Sequence, residues 1–413
     1  MAVTGSGAVF VFFRLERTAV RNFTRTLLGG AAAIAIATGL VGCSNASEDP
    51  AADGLQIVTT TTQLTDFANN VTAGTDAQVT GLLQPNASAH SFEANAADLE
   101  LIRTADVVIM NGIGLETWLP DILESAGFEG TTIDASSGID ASEILAGGDH
   151  DHGDESESGA EDEHDHGDET ATDSAGAEHA HDVEAESHAG DEHDHADEAA
   201  TDSEDAEHAH NEEAHDDHDH GDENPHIWTS PTLASEMTTE IATGLASVDE
   251  AHAETYETNA AAYVEKLDAL DTWIAENIES VPEADRLLVT NHDALTYFNH
   301  DYGITFIGSV MPSWDDNAEP SAAEIDTLVA AIKDSGVQAV FTETQLSPGT
   351  AEAIAKEAGV KVYSGDQALY TDSLGAEGSG AETYISSTIH NTTQLMDSWG
   401  ETATELPEQL QES

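Results

Sequence analysis

The 413 residues include 82 acidic against 10 basic side chains, a formal net charge of -72 at pH 7. A chain this acidic repels a phosphate backbone, which excludes nucleic-acid binding, and its single cysteine, Cys43, excludes an internal disulfide. The acids are spread, with 32 between residues 149 and 223 and 50 elsewhere, a distribution that keeps a folded protein soluble by repulsion and is similar to salt-adapted surfaces.

At the N-terminus, Arg14, Arg17, Arg21 and Arg25 precede an apolar run over 27–41, which leads into Leu40-Val41-Gly42-Cys43. The pattern predicts a lipoprotein signal peptide over 1–42 and a polar tether over 43–53. Lipid attached at Cys43 would anchor an extracytoplasmic protein to the cell membrane, because the run is too short for a comfortable span. Strand signals follow at 55–61, 77–83, 106–112 and 131–136, with helix signals between them at 64–71, 94–104 and 116–126. This alternation predicts a parallel sheet.

The alternation stops at residues 149–223, which hold 14 of the 20 histidines and no Lys or Arg. Six pairs are spaced His-x-His: His150 with His152, His164 with His166, His179 with His181, His193 with His195, His208 with His210, and His218 with His220. His188 and His215 complete the set. Residues 167–181 match 196–210 at 11 of 15 positions, a duplicated unit. Its apolar content is little beyond alanine, so stacking such units would bury nothing, and the insert is expected to be disordered. Its composition reads as a metal-binding tract rather than a merely solvated acidic run.

The pattern resumes at Asn224-Pro225-His226-Ile227-Trp228, with a helix at 232–248 and a longer one at 251–278, roughly 40 Å at 1.5 Å per residue. Strands are predicted in LLVTN, ITFIGSV, VQAVFTE and VKVYS, with helices at 321–335, 350–358 and 382–399. Ser321 and Glu324 form an expected capping box. The fold class read from this order is α/β: two lobes, each with a parallel-sheet βα core, joined by a long linking helix, with the functional site in the cleft between them. The boundaries follow as an N-terminal lobe at 54–249 carrying the insert, a linking helix at 250–280 and a C-terminal lobe at 281–413.

Three of the six histidines outside the insert sit just after a strand or loop: His90 in QPNASAH, His226 in NPHIW and His292 in VTNHDALTYF. Together with VVIMNGIGLETWLP and YTDSLG, these segments resemble the zinc and manganese solute-binding lipoproteins of bacterial ABC importers. The resemblance covers the chain from Leu55 onward, with Asn224 where the family signature has Asp. It implies metal ligands at His90, His226, His292 and Asp372, a structural role for Asn111, Gly112, Glu116 and Trp118, and a membrane permease as partner of a monomeric receptor. A His-rich loop between the first two ligands is typical of the zinc-binding branch. Three imidazoles and one carboxylate suit four-coordinate Zn(II) as the transported ligand, whereas Mn(II) prefers more oxygen.

Glu343, ending VQAVFTE, is read either as a partner that orients a ligand histidine or as a strand-end surface acid. His252, His300 and His390 carry no expected role. A zinc buffer or metallochaperone acting through the insert is the alternative binding function. A zinc hydrolase would need an open fourth position and a general base, but Asp372 fills the first and no HExxH motif supplies the second.

Overall fold

A computed structural model describes residues 54–147, 223–313 and 318–411. The expected signal peptide, Cys43, the tether before residue 54 and the insert through residue 222 lie outside the described residues. So do all twelve histidines expected to bind metal as an auxiliary loop: His150, His152, His164, His166, His179, His181, His193, His195, His208, His210, His218 and His220.

In the first lobe β1 (Gln56–Thr59), α1 (Thr62–Thr72), β2 (Gln78–Gly81), α2 (Ala96–Thr104), β3 (Val107–Met110), α3 (Leu119–Ala126) and β4 (Thr131–Asp134) alternate as predicted. The strands form one parallel sheet in the order β2-β1-β3-β4, and each parallel neighbour is reached through a helical crossover. The continuous apolar run of β3 fits a strand covered on both faces; Val107, Val108 and Ile109 are fully buried. Helix α1 starts where the Thr61 hydroxyl accepts the Leu64 N–H, satisfying a donor that the helix itself leaves unpaired. It buries Leu64, Phe67, Ala68 and Val71 on one face.

Helix α4 (Pro231–Val248) begins with Ser230 as its cap and Pro231 at its first position, where a missing N–H costs nothing. Helix α5 (Ala253–Glu279) is the long linking helix. Its stripe of Tyr256, Tyr263, Leu267, Leu270 and Ile274 is buried, against α4 and α1 of the first lobe and against elements of the second.

The second lobe runs β5 (Leu287–Thr290), α6 (Thr296–Tyr302), β6 (Thr305–Ser309), α7 (Ala322–Ser335), β7 (Ala339–Phe341), α8 (Gly349–Ala358), β8 (Lys361–Tyr363) and α9 (Tyr384–Ser398). Its strands pair in parallel as β5-β6 and β7-β8, with β5 alongside β7. The capping box of Ser321 and Glu324 at α7 is present as expected. Helix α6 was not expected: its seven residues, TYFNHDY, are too short to display a helical period and poor in helix formers. It forms because Tyr297, Phe298 and Tyr302 are buried in the core, and it stops at Gly303 in the left-handed region.

One apolar cluster passes without a break from Phe67 on α1 through Met237, Ile241, Tyr263 and Leu270 to Phe298, Tyr384 and Leu395. Burying each such side chain contributes about 1.5–3 kcal/mol, so the linking helix is a shared core element rather than a bare tether. Among the described residues no helix is long and apolar enough to cross a membrane.

Candidate metal centre

Four of the five candidate side chains follow the carboxyl ends of strands, where open parallel sheets present their ligand sites. His90 lies in the loop after β2, His292 after β5, Glu343 after β7 and Asp372 between β8 and α9. His226 opens the short 3-10 turn Ile227–Thr229 just beyond the insert. The structure brings His90, His226, His292 and Asp372 together, with one donor atom from each within 4.8 Å of all the others. His226, His292 and Asp372 are buried, while the His90 side chain keeps 12% of its surface exposed.

The separations are those of a small coordination cage. His226 Nε2 lies 2.9 Å from His90 Nε2 and 3.3 Å from His292 Nε2. Asp372 Oδ1 is 3.5 Å from His226 Nε2 and 3.3 Å from His292 Nε2, and Oδ2 is 3.6 Å from His90 Nε2. Both Asp372 oxygens are buried without a hydrogen-bond partner among the described residues. A buried carboxylate left so is costly unless a cation or proton compensates it. Electrostatics point the same way: burial alone would raise the Asp372 carboxyl, but the charge of His292 and the imidazoles of His226 and His90 hold it well below its ordinary value. Burial opposes protonation of His292, yet the carboxylates of Glu343 and Asp372 raise it well above the usual imidazole range. The cluster therefore attracts positive charge, as a proton or as a metal.

Around this cage His292 and the segment bearing Asp372 are each held by further contacts. Glu343 Oε1 accepts the His292 N–H at 3.0 Å, and Oε2 lies 2.5 Å from His292 Nδ1 while accepting the Thr371 hydroxyl at 2.7 Å. Glu343 thus lies against both the backbone and the ring of His292. The Thr371 carbonyl accepts Gln63 Nε2 at 3.0 Å and Trp228 Nε1 at 2.8 Å, and Thr62 Oγ1 accepts the Leu374 N–H at 2.8 Å. The segment carrying Asp372 is thus held by the first lobe. Sequence reasoning gave Gln63, Trp228 and Thr371 no role, because the contacts of Gln63 and Trp228 with Thr371 span 308 and 143 positions and leave no local period. It also read Asn224 only as a departure from a signature, although its position two residues before His226 was a usable signal.

The Asn111 to Trp118 block has the expected structural part. The Glu116 carboxylate accepts the Thr60 hydroxyl at 2.6 Å and the Asn111 N–H at 2.7 Å. Burial raises it above the ordinary range, against these hydrogen bonds. Asn111 Nδ2 then donates to the Pro225 carbonyl at 3.0 Å, which supports the turn before His226. Gly112 sits at φ 87°, where a Cβ would meet Asp134. His252, His300 and His390 lie apart from the cage: His252 Nδ1 contacts Asp249 Oδ2 at 2.7 Å, His300 is exposed beside Asp301, and His390 Nε2 contacts the Ala368 carbonyl at 2.9 Å.

The chain is 27% identical over 365 residues to the manganese-binding lipoprotein MntA of Bacillus subtilis, covering 87% of this chain and 95% of MntA. It is 29% identical over 324 residues to the zinc-binding lipoprotein AdcA of Streptococcus pneumoniae, covering 78% of this chain and 51% of AdcA, so it spans about half of that longer protein. The iron-binding protein YfeA of Yersinia pestis is 27% identical over 333 residues, 80% of this chain and 82% of YfeA. Among solved structures, the periplasmic zinc binding protein TroA from Treponema pallidum superposes with a TM-score of 0.61 at 21% identity, covering 84% of this chain and 99% of TroA; the two-lobed α/β fold is shared. The family model for ZnuA, zinc-uptake complex component A periplasmic, matches residues 57–398. The chain belongs to that family, a group of metal-binding solute receptors of ABC importers and not of enzymes.

Proposed function

We propose that this protein captures Zn(II) between its two lobes, with His90, His226, His292 and Asp372 as ligands and Glu343 orienting His292, and delivers it to the importer's membrane permease. In this reading it works outside the cytoplasm as a monomer held to the membrane by lipid on Cys43. The first lobe extends over 54–249, the linking helix over 250–280 and the second lobe over 281–413. The His-rich insert at 149–223 is an accessory that gathers metal near the cleft.

The observation that carries this reading is the size of the cage. Zinc bonds of about 2.1 Å arranged as a tetrahedron give ligand-to-ligand edges of roughly 3.4 Å, and the five separations above lie between 2.9 and 3.6 Å. Zinc over manganese rests on the donor set: three imidazoles and one carboxylate suit zinc, whereas manganese favours sites richer in oxygen. Relatives named for manganese, zinc and iron make that choice a matter for measurement. Isothermal titration of metal-free protein with Zn(II) should give one tight site, lost in His226→Ala, with Mn(II) unable to displace zinc at equal concentration. A tight site that persists in His226→Ala refutes the ligand assignment, and preferential retention of Mn(II) refutes the metal.

A further inference from the structure

Asn224 is fully buried at the point where the chain returns from the insert, and its amide is used on both sides. Oδ1 faces the His226 backbone N–H at 3.0 Å and His226 Nδ1 at 2.7 Å. Nδ2 donates to the Asp293 carbonyl at 3.2 Å and to Thr296 Oγ1 at 2.9 Å. The orientation of the amide is not free: a backbone carbonyl can only accept, so the NH2 must face Asp293 and the carbonyl must face His226. A carbonyl in turn only accepts, so His226 Nδ1 must carry a proton, and in the neutral imidazole that leaves the Nε2 lone pair facing the cage.

The backbone of Asn224 is fixed as firmly as its side chain. Its N–H donates to the Leu145 carbonyl at 2.8 Å, and its own carbonyl accepts the Tyr297 hydroxyl at 2.7 Å. The same hydroxyl accepts the Leu145 N–H at 3.2 Å. Ala146 and Glu223 form an antiparallel bridge next to these contacts. The two ends of the insert are therefore tied together within three residues of His226.

An amide serves both sets of contacts at once. A carboxylate at position 224, the residue type of the family signature, could accept from His226 but could not donate to the Asp293 carbonyl.

We infer that Asn224 is a positioning residue whose carbonyl fixes the tautomer and pitch of the His226 imidazole, while its NH2 group closes the stem of the insert onto α6. This rests on the proposed role of His226 as a ligand. It assigns separate tasks to the two ends of one side chain, so variants can separate them. Asn224→Leu removes both, Asn224→Asp keeps only the acceptor, and Thr296→Val removes only a partner of the NH2 group.

The test measures Zn(II) affinity by competition with a chromogenic chelator, and the His226 imidazole by 15N NMR of the zinc-free full chain. Asn224→Leu should weaken zinc by roughly 10–100-fold, the usual effect of removing a group that orients a ligand, and should mix the two His226 tautomers. Asn224→Asp should retain the Nδ1-protonated form and recover most of that affinity at lower thermal stability. Thr296→Val should lower thermal stability and leave zinc affinity unchanged. If Asn224→Leu binds zinc like wild type while His226→Ala does not, the inference falls and the ligand assignment stands; if His226→Ala also binds like wild type, both fall. Equal losses in the Leu and Asp variants with an unchanged tautomer, or a loss in Thr296→Val as large as in Asn224→Leu, would show a merely structural role. Should the Leu variant fail to fold, the Asp variant decides, since loss of its Nδ1-protonated form overturns the inference.

Discussion

Asp66 offers the sharpest test of how the lobes are fastened. It lies on α1, and its Oδ2 accepts the Tyr263 hydroxyl of α5 at 2.9 Å and the Tyr384 N–H at the start of α9 at 3.1 Å. One oxygen thus joins the first lobe, the linking helix and the second lobe. Asp66→Ala strips both donors of their acceptor, at about 1–3 kcal/mol each, while removing a charge from a poorly solvated place returns part of this, for a net loss of about 2–4 kcal/mol. With about 2–4 °C per kcal/mol for a chain of this size, the melting temperature should fall by roughly 4–16 °C in chelator, where bound metal adds nothing. Asp66→Asn can place its Oδ1 where the accepting oxygen was and should stay near wild type. The pH dependence has a definite sign. Burial raises the Asp66 carboxyl, against hydrogen bonds from Tyr384 and Tyr263 and the charge of Lys266. A raised carboxyl stabilises the fold most below its unfolded value of 3.8, and that contribution is lost as pH rises through the folded value. Wild type should therefore gain on Asp66→Asn as pH falls from neutrality. An Ala variant as stable as the Asn variant, or a gap moving the other way with pH, refutes the reasoning.

Zinc at about a thousandfold above its dissociation constant should stabilise the wild type by about 4 kcal/mol, read as a higher melting temperature; Asp372→Ala should lose most of this gain. Glu343→Gln should weaken zinc by roughly tenfold or more, and an unchanged dissociation constant would remove Glu343 from the support of His292. At the start of α5, the hydrogen bond with Asp249 raises His252 above 6.5, so its contribution to stability is complete below pH 6.5 and is lost as pH rises through the raised value. NMR titration should show the His252 midpoint falling in Asp249→Asn. Gly112→Ala should destabilise the protein by about 1–3 kcal/mol, because φ of 87° is strained for alanine and the new methyl would overlap the Asp134 carboxylate; chemical denaturation measures it.

Much of this molecule is written locally in the chain. The apolar run of DVVIMNG became β3, the pair Ser321 and Glu324 capped α7, and the long periodic stretch from 251 became α5, since strand burial, capping and helical stripes are decided within a few residues. The segments bearing His90, His226, His292 and Asp372 were visible as motifs, and the structure draws them into one cage. What the sequence concealed depends on distant partners. Helix α6 exists by virtue of the aromatic core it enters, not of its own propensity. The β5-β6 pair carries a register shift between Leu288 and Val289 that no alternation of residues announces. Gln63 reads as one more polar residue on α1, yet its amide reaches Thr371, 308 positions away. Asn224 acquires its importance from Asp293 and Thr296, neither of which is near it in the chain.

The unequal exposure of the four cage residues bears on how cargo leaves. With the apolar core shared between lobes and Thr371 gripped by Gln63 and Trp228, wide opening of the cleft would break many contacts at once, whereas turning one side chain breaks few. His90 is the cage member with access to solvent, and its loop is tied to the Asp372 segment by the Asn86 N–H donating to Ser373 Oγ at 2.6 Å. Under the proposed function, ligand exchange begins at this edge: an incoming donor from a chelator or a permease takes the place of His90 while the three buried ligands still hold the ion. On that reading release would be an associative substitution, its rate rising with the concentration of the acceptor, where a spontaneous dissociation would be independent of it.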